Sequence, residues 1–330
     1  MAKRAWRRFA AVFLGALVCL ALPAGAAGRE LAVGGETVGI RLFSDGVVVI
    51  GLTEIETERG AASPGTACGL RVGDVIDSVD GRAVDSSEQF AAMLQSGGTV
   101  ELNVQRGDEA LRLTAAPAMG RDGTYRLGAW VRDSMAGIGT VTYRDPGTGA
   151  FGALGHGITD TDTGLLIPLG DGAVMASAVK AVKKGQAGDP GELRGEFDMS
   201  EDLGTLTANT RQGVFGVMTG QEIGGEILPT AAWEEVRAGE AVIRANVMGE
   251  SVEEYAIKIL RVLDRDGEQN MLVEVTDRRL LEQTGGIVQG MSGSPIIQDG
   301  KLVGAVTHVL VNDPTRGYGI FIENMLDAAG

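Results

Sequence analysis

The chain has 330 residues, which suits two domains behind a leader better than one small domain. Its 51 glycines and 5% aromatic residues favour a β-rich fold with many tight turns over a helical bundle. The formal net charge of -15 argues against nucleic acid as a partner, because phosphate binding needs clustered Lys and Arg.

The first 27 residues have the pattern of an export signal. Four cations between positions 3 and 8 precede an apolar run over 9–22, and residues 23–27 offer the small side chains that signal peptidase accepts. The stretch 9–27 is also just long enough to span a bilayer. The sequence therefore predicts export across the cytoplasmic membrane, with residues 1–27 serving as a cleaved signal peptide or as a retained anchor.

Cysteine usage excludes an internal disulfide in the exported part of the chain. Cys19 lies inside the leader, and Cys68 is the only cysteine in the body. Cys68 stands in an Ala-Cys-Gly-Leu run, which is typical of a small buried hydrophobic residue rather than a nucleophile.

The region after the leader reads as a small domain of strands and one helix. Short β-branched strands over 38–40 and 47–52 precede the segment Pro64-Gly-Thr-Ala-Cys-Gly-Leu-Arg-Val-Gly-Asp-Val-Ile76. An Asp-Gly turn, a helix that begins near Ser86 and two strands over 100–105 and 111–114 follow. This pattern resembles a bacterial PDZ domain over residues 36–117.

The PDZ resemblance implies a groove in which an extended peptide is added as a strand between a sheet edge and the long helix. It places this groove between residues 38–42 and 87–94. The predicted lining consists of five residues: Val38, Gly39, Ile40, Phe90 and Leu94. The alternative is a domain that only packs against its neighbour.

From residue 119 to 330 the pattern changes to short strands broken by glycine and polar turns, which predicts two small β-barrels. A hairpin over 138–143 and 150–154 leads into Gly155-His156-Gly157. Four further strands are predicted over 211–219, 241–248, 254–263 and 269–275. The fold class predicted from the sequence is therefore mainly β, a PDZ domain followed by a double-barrel domain.

The segment Gly290-Met-Ser292-Gly-Ser-Pro295 indicates a nucleophile. Chymotrypsin-like proteases place their serine in a Gly-x-Ser-Gly-x-Pro loop, and a strand, a tight turn and a strand follow here over 296–307. The backbone N–H groups of Gly290 and Ser292 are the predicted oxyanion hole, which stabilises the negative oxygen of a tetrahedral intermediate.

A serine hydroxyl needs an adjacent base, and the chain has only two histidines. His156, which lies between two glycines after a strand, is the predicted base, whereas His308 in an apolar strand has a structural interpretation. A third residue, an acceptor that orients the histidine, completes a catalytic triad. Asp277 is the favoured candidate for it because it keeps the order His, Asp, Ser along the chain. Asp313 is its rival, and two aspartates near His156 are weaker alternatives: Asp160 and Asp162.

No cofactor and no metal are predicted. The sequence lacks a His-Glu-x-x-His motif, and one body cysteine with two histidines does not furnish an ordinary structural zinc site. No EF-hand pattern is present either, although calcium binding by acidic loops stays open.

Taken together, three features resemble one family: the PDZ domain, the segment Gly-Ala-Leu-Gly-His156-Gly-Ile-Thr-Asp, and the segment Thr-Gly-Gly-Ile-Val-Gln-Gly-Met-Ser292-Gly-Ser-Pro. The family is the stage IV sporulation protein B family of endospore-forming bacteria, a sporulation signalling peptidase. It implies His156, Asp277 and Ser292 as a catalytic triad.

The resemblance also implies a location and a substrate. The peptidase would be exported into the space between the two forespore membranes, where it cleaves the extracytoplasmic part of a membrane regulatory complex. That cleavage triggers intramembrane proteolysis and activates a late sigma factor. Two other functions stay open: a quality-control protease with a PDZ domain, and a catalytically dead PDZ adaptor.

Overall fold

The computed structural model describes residues 28–219 and 225–330, so the predicted export signal over 1–27 lies outside the described residues. Within the described ranges, no helix has the length and apolar character needed to cross a membrane. The chain is mainly β, which confirms the predicted fold class.

The strands before residue 230 build the first barrel and the PDZ domain. They are β1 (Glu30–Val33), β2 (Thr37–Leu52), β3 (Ile55–Thr57), β4 (Gly60–Ala62), β5 (Val75–Val79), β6 (Arg82–Ala83), β7 (Val100–Arg106), β8 (Glu109–Ala115), β9 (Ala118–Met119), β10 (Tyr125–Arg126), β11 (Ala129–Arg144), β12 (Ala150–Ala153), β13 (Asp171–Lys183), β14 (Glu192–Thr210), β15 (Gly213–Met218) and β16 (Ile227–Pro229).

The remaining strands build the second barrel, and four α-helices lie at its ends and in the PDZ domain. The strands are β17 (Gly239–Ala245), β18 (Glu253–Val262), β19 (Met271–Val275), β20 (Pro295–Gln298), β21 (Lys301–Leu310) and β22 (Asp313–Phe321). The helices are α1 (Pro64–Cys68), α2 (Ser87–Met93), α3 (Arg278–Thr284) and α4 (Ile322–Ala329).

The first barrel is a closed ring of six antiparallel strands. The pairings run from β11 through β12, β15, β14 and β13 to β2, and β2 pairs back onto β11. Alternate side chains of these strands point inward, as period-two patterning requires. Their buried core includes Val38, Val141, Phe151, Val174 and Val214.

The second barrel is also closed, in the order β17-β18-β19-β22-β21-β20. Buried β-branched side chains such as Ile257 and Val273 fill its interior. A separate buried cluster joins the two barrels, with Tyr143 and Phe215 from the first and Leu302 and Ile320 from the second. This cluster fixes the barrels side by side and so sets the crevice between them.

The PDZ domain is an insertion into the first barrel rather than a separate leading domain. Strands β2 and β11 pair along one ribbon, from Thr37 opposite Thr140 to Leu52 opposite Ala129. The first half of β2 also pairs with β13 in the barrel, whereas its second half pairs with β5 in the PDZ sheet. The PDZ sheet thus has the order β11-β2-β5-β7-β8, and the boundary at 36–117 predicted from the sequence differs from the structure.

Several predicted PDZ elements are present where the sequence placed them. Helix α2 is capped by Ser86, whose hydroxyl accepts the N–H of Gln89. Phe90 and Leu94 are buried in the PDZ core. The carboxylate of Asp74 is fully buried and lies 2.7 Å from Nε of Arg106, so this buried charge is paired.

Candidate active site

His156 lies in the loop after β12. The conformation of this loop is constrained by the packing of the residues on either side of His156. Gly157 has no space for a side chain, since a Cβ there would come 2.4 Å from the carbonyl oxygen of Thr210. The preceding Leu154 has a φ of 67°, an uncommon left-handed conformation for a residue with a side chain. The loop that presents the imidazole is therefore tightly held against the first barrel.

Hydrogen bonds from β11 hold the Ser292 loop. The N–H of Thr140 donates to the carbonyl of Ser292 over 3.0 Å, and its hydroxyl donates to the carbonyl of Gly290 over 2.8 Å. The hydroxyl of Thr142 donates to the carbonyl of Gly293 over 2.8 Å. A strand of the first barrel thus positions the nucleophile loop of the second.

The glycine after the serine is required by this contact between the barrels. A Cβ on Gly293 would lie 2.0 Å from the carbonyl oxygen of Thr140, and the φ of Gly293 is 96°. Side chains rarely adopt such a φ, and none fits in this space. The glycine of the Gly-x-Ser-Gly motif therefore allows the backbones of the two barrels to meet.

His156 and Ser292 line one cleft between the barrels, with a volume of about 480 Å³. The ring of His308 lies beside that of His156, with a centroid distance of 4.6 Å. The structure thus brings the predicted nucleophile and base into a shared cleft. It also places His308 there, although the sequence favoured a structural role for this residue.

The serine hydroxyl donates a hydrogen bond to the carbonyl of Thr307 over 2.6 Å. Among the described residues, Ser292 and His156 share no hydrogen bond in this conformation. Catalytic hydrogen bonds are often absent before substrate binds, and rotation about one side-chain bond redirects a serine hydroxyl. In this conformation the Ser292 hydroxyl is thus engaged by Thr307.

The environment of His156 keeps its imidazole neutral. Burial is the main cause that lowers the pKa of His156 to about 4, and the neighbouring His308 lowers it further. The Nδ1 atom lies 2.9 Å from the carbonyl oxygen of Gly157. Since a carbonyl only accepts, Nδ1 carries the proton and Nε2 is the free basic nitrogen. Burial also lowers the pKa of His308.

The predicted oxyanion hole has its donors free. Within the described part of the chain, the N–H groups of Gly290 and Ser292 donate to no backbone carbonyl, while the carbonyls of both residues accept hydrogen bonds from Thr140. Donors that are held in place but unused in the resting state are what a developing oxyanion requires.

The structure does not bring Asp277, the favoured third member, to His156. The Asp277 carboxylate caps α3 by accepting the N–H of Arg279, it lies 3.0 Å from NH2 of Arg279, and it accepts the N–H of Ala256. The hydrogen bond with Arg279 holds the pKa of Asp277 below its ordinary value. The carboxylate is thus already engaged at a helix N-terminus, where an anion is stabilised.

The alternative aspartates also have other partners. Asp313 accepts the N–H and the hydroxyl of Thr315, and it faces Arg316 at 3.6 Å. Asp162 is exposed and lies 3.4 Å from Arg132. Among the described residues, none of these carboxylates makes a hydrogen bond to the imidazole.

Asp160 instead anchors the loop that carries His156. It is fully buried, and one oxygen accepts the N–H of Asp162 and both the N–H and the hydroxyl of Thr163. Its other oxygen lies 2.6 Å from Nε of Arg132 on β11. No local sequence pattern signals this role of Arg132, because the two partners are far apart in the chain.

The predicted PDZ groove needs a correction on one side. Val38, Gly39 and Ile40 lie in the half of β2 that pairs with β13 on one edge and with β11 on the other, so no strand can be added there. Phe90 and Leu94 do line a cavity of about 700 Å³, whose opposite wall includes Trp130 and Val131 at the start of β11.

This half of β11 has a single strand partner among the described residues, since residues 129–132 pair only with β2. A free strand edge that faces a helix is the geometry in which PDZ domains add a peptide strand. The strand edge that faces helix α2 is therefore at residues 129–132, which fall in the region 119–330 predicted as the protease domain.

No group of three or more His, Cys, Asp or Glu in the described ranges is arranged to hold a metal ion. The residues that the sequence analysis missed near the site are Thr140, Thr142, Arg132 and Thr307. Their roles depend on contacts between barrels or between distant loops, for which a single sequence gives no local pattern.

The comparison with known families decides the identity of this arrangement. The family model described as SpoIVB peptidase S55 matches residues 123–326, and a PDZ domain model matches residues 57–106. The chain belongs to the SpoIVB peptidase S55 family. It is a serine peptidase with a PDZ domain, as the resemblance in the sequence implied, and its family connects it with sporulation.

Solved structures resemble parts of this SpoIVB-family peptidase. The PDZ domains of SdrC-like proteins from Listeria monocytogenes and Listeria innocua are 30% and 26% identical, with TM-scores of 0.22 for both; each alignment covers 26% of this chain and 87% or 93% of the other. The inactive form of the Rv3671c protease is 14% identical with a TM-score of 0.35, covering 58% of this chain and 84% of that one. None of the curated proteins matches the chain.

Proposed function

We propose that this peptidase is exported, in cleaved or anchored form, to the space between the forespore membranes. There it hydrolyses a peptide bond in the extracytoplasmic part of a membrane regulatory complex and thereby triggers intramembrane proteolysis and activation of a late sigma factor. Its family membership and the export pattern over residues 1–27 support this proposal. The single observation that carries the hydrolytic mechanism is the shared cleft of His156 and Ser292.

In the proposed reaction, Ser292 turns its hydroxyl from Thr307 to Nε2 of His156 and attacks the scissile carbonyl carbon. The imidazole takes the hydroxyl proton as the C–O bond forms, and later gives it to the leaving amine nitrogen. The negative oxygen of the tetrahedral intermediate accepts hydrogen bonds from the N–H groups of Gly290 and Ser292. Water then hydrolyses the acyl-enzyme by the same steps.

The carbonyl of Gly157 takes the orienting role in this proposal, because it accepts the Nδ1 proton of the imidazole at 2.9 Å. An acceptor at Nδ1 selects the tautomer with a basic Nε2. The catalytic groups are thus His156 and Ser292, and Asp277 remains a prediction from the sequence order.

A fluorophosphonate probe tests the nucleophile directly. We expect it to label the wild-type protein and to fail with Ser292→Ala and with His156→Gln. Ser294→Ala is the matched control, because Ser294 belongs to the same motif but is fully buried. Labelling of Ser292→Ala equal to that of the wild type would contradict the proposed nucleophile.

The substrate is tested with membranes from sporulating cells. The wild type and Ser292→Ala are each incubated with these membranes, and the new peptide ends are identified by mass spectrometry. We expect ends that depend on Ser292 in one or two membrane proteins and slow digestion of unfolded casein. Broad digestion of casein and of many membrane proteins would instead indicate a quality-control protease.

A further inference from the structure

The cleft that holds Ser292 is lined by uncharged groups. Among the described residues that line it, none carries a carboxylate, an ammonium or a guanidinium group. Most of the lining is aliphatic, with Met135, Ile138 and Ile158 from the first barrel and Val288 and Val309 from the second. A peptide bound in this cleft therefore meets an apolar surface.

The part of the cleft beside the nucleophile is formed by two segments. Residues 287–290 precede Ser292, and residues 307–309 of β21 lie on the other side, next to the Thr307 carbonyl that accepts the serine hydroxyl. The substrate residue that supplies the scissile carbonyl must place its carbonyl carbon at Ser292 and its oxygen at the oxyanion donors. Its side chain then falls between these two segments.

Ile287, which lines the cleft, also packs on Gly317 of β22. Its Cδ1 atom lies 2.7 Å from the position that a Cβ on Gly317 would take, so the isoleucine side chain fills the space over that glycine. Ile287 and Val288 are buried, and Val309 is partly buried against the second barrel core. Packing against the barrel core thus fixes these walls.

The acidic groups that adjoin the cleft are already paired. Asp160 is held by Arg132, and Asp313 is held by Thr315 and Arg316. A substrate Lys or Arg that entered this space would lose water without gaining a counter-ion, which is strongly unfavourable. An aliphatic side chain gains free energy by the same transfer.

We propose that the cleft selects an uncharged aliphatic residue on the amino side of the scissile bond. Ile287, Val288 and Val309 are the residues that determine this specificity. The inference rests on the proposed hydrolysis by Ser292 and adds a substrate class to it.

Digestion of denatured casein by the full chain, with mass-spectrometric mapping of the cleavage sites, tests the proposal. Substrate preferences that depend on apolar fit are about 10- to 200-fold per methylene group. We therefore expect Ser292-dependent cuts after Val, Leu or Ile to outnumber cuts after Lys and Arg by at least about tenfold at equal abundance. Ser292-dependent cuts mainly after Lys, Arg, Asp or Glu would overturn the specificity and leave the hydrolytic mechanism intact. Absence of Ser292-dependent cleavage both in casein and in the membranes of sporulating cells, or equal cleavage by Ser292→Ala, would overturn both.

A negative charge placed in the cleft wall at Val309 tests the same proposal by reversing the expected substrate preference. Val309→Asp supplies a carboxylate beside Ser292, so cuts after Lys and Arg are expected to appear and cuts after aliphatic residues to fall by about tenfold. Val217→Asp is the matched control, since Val217 is an exposed residue of β15 that does not line the cleft. If Val309→Asp does not fold, Val309→Ala is used, which widens the space and is expected to shift cleavage from Val towards Leu and Phe. An unchanged pattern of cuts in a folded variant would contradict the assignment of this wall.

Discussion

The guanidinium of Arg132 reaches from β11 to the fully buried carboxylate of Asp160, with 2.6 Å between Nε and Oδ2. Arg132 belongs to the stretch of β11 whose free edge faces the PDZ helix, and Asp160 belongs to the loop that carries His156. The next residue, Asp133, accepts the N–H and the hydroxyl of Ser87 at the start of α2. One short segment of strand therefore contacts both the PDZ helix and the catalytic loop.

Asp160→Asn tests the importance of this ion pair. The amide keeps the shape of the carboxylate but removes its charge, so Arg132 loses its buried partner. Leaving a buried polar group without its partner costs about 1–3 kcal/mol, and we expect a loss of stability in that range together with a fall in kcat of about tenfold or more. Urea unfolding and peptide hydrolysis measure the two effects.

Asp122→Asn is the control for this prediction, because Asp122 pairs with Arg126 at an exposed site, where ion pairs contribute little. It is expected to leave stability and kcat close to those of the wild type. If Asp160→Asn behaved like Asp122→Asn, the pair would not position the catalytic loop.

The pKa of His156, lowered to about 4, predicts the pH dependence of hydrolysis. A base must be neutral to accept a proton, and a lowered pKa means that the imidazole is protonated only at more acidic pH. The acid limb of kcat/KM is therefore expected near pH 4 instead of near pH 6.5, the value for an unperturbed histidine. A profile of kcat/KM between about pH 3.5 and 8 measures it.

The same pH profile for His308→Gln separates the two causes that lower the pKa of His156, which are burial and the neighbouring His308. The imidazole of His308 contributes to lowering the pKa of His156, so its removal is expected to raise that pKa and to move the acid limb of kcat/KM to higher pH. Burial remains the larger cause, and the limb should stay below that of an unperturbed histidine. A limb near pH 6.5 in the wild type, in a protein whose circular dichroism shows that it is folded, would contradict the buried neutral imidazole.

Much of the fold follows from local sequence patterns, and much of the site does not. The Asp-Gly turn, the cap at Ser86 and the loop at Ser292 each rest on residue types that only certain backbone conformations accommodate, so the sequence predicts them well. The ribbon of β2 and β11 is not among the predictions, because the sequence analysis divides β2 into two short strands over 38–40 and 47–52. In the structure, the Ser44 hydroxyl contacts the carbonyls of Gly46 and Asp133 and keeps the two halves in one ribbon.

The third catalytic residue shows the limit of order along the chain. Asp277 precedes Ser292 as the order of a triad requires, but an N-terminal helix cap produces the same local pattern of an aspartate before a helical run. Only the packing of the loops tells which carboxylates face the imidazole, and no local pattern encodes that packing.

Asp277→Asn distinguishes a helix cap from a triad member. Asparagine caps helices as well as aspartate does, so stability is expected to change by less than about 1 kcal/mol, and kcat by less than about threefold. Asp277→Ala removes the cap and is expected to cost about 1 kcal/mol. Steady-state kinetics and urea unfolding measure both variants.

A large loss of activity in Asp277→Asn would instead support Asp277 as the third member of the triad, as the order His, Asp, Ser along the chain predicts. In a serine protease triad, the same carboxylate-to-amide change lowers kcat by about 10⁴-fold because the imidazole takes the wrong tautomer. A fall of that size in Asp277→Asn with unchanged stability would make Asp277 the third member, in a conformation that forms with substrate.

Gly293→Ala tests the contact by which the two barrels share the site. The added methyl group would lie 2.0 Å from the carbonyl oxygen of Thr140, so the nucleophile loop must shift away from β11. A misplacement of about 1 Å costs about a hundredfold in rate, and we expect a fall in kcat/KM of at least that size.

Gly300→Ala is the matched control, because Gly300 has a φ of 74° in the turn between β20 and β21 and no atom lies within 4 Å of its would-be Cβ. Both variants place an alanine in a left-handed conformation, which costs about 1–2 kcal/mol of stability. Only in Gly293→Ala does the new methyl group also clash with the backbone of the other barrel. Fluorophosphonate labelling and urea unfolding of the two variants separate these effects. Equal labelling rates in folded Gly293→Ala and Gly300→Ala would show that the hydroxyl of Ser292 is positioned without the contact to Thr140.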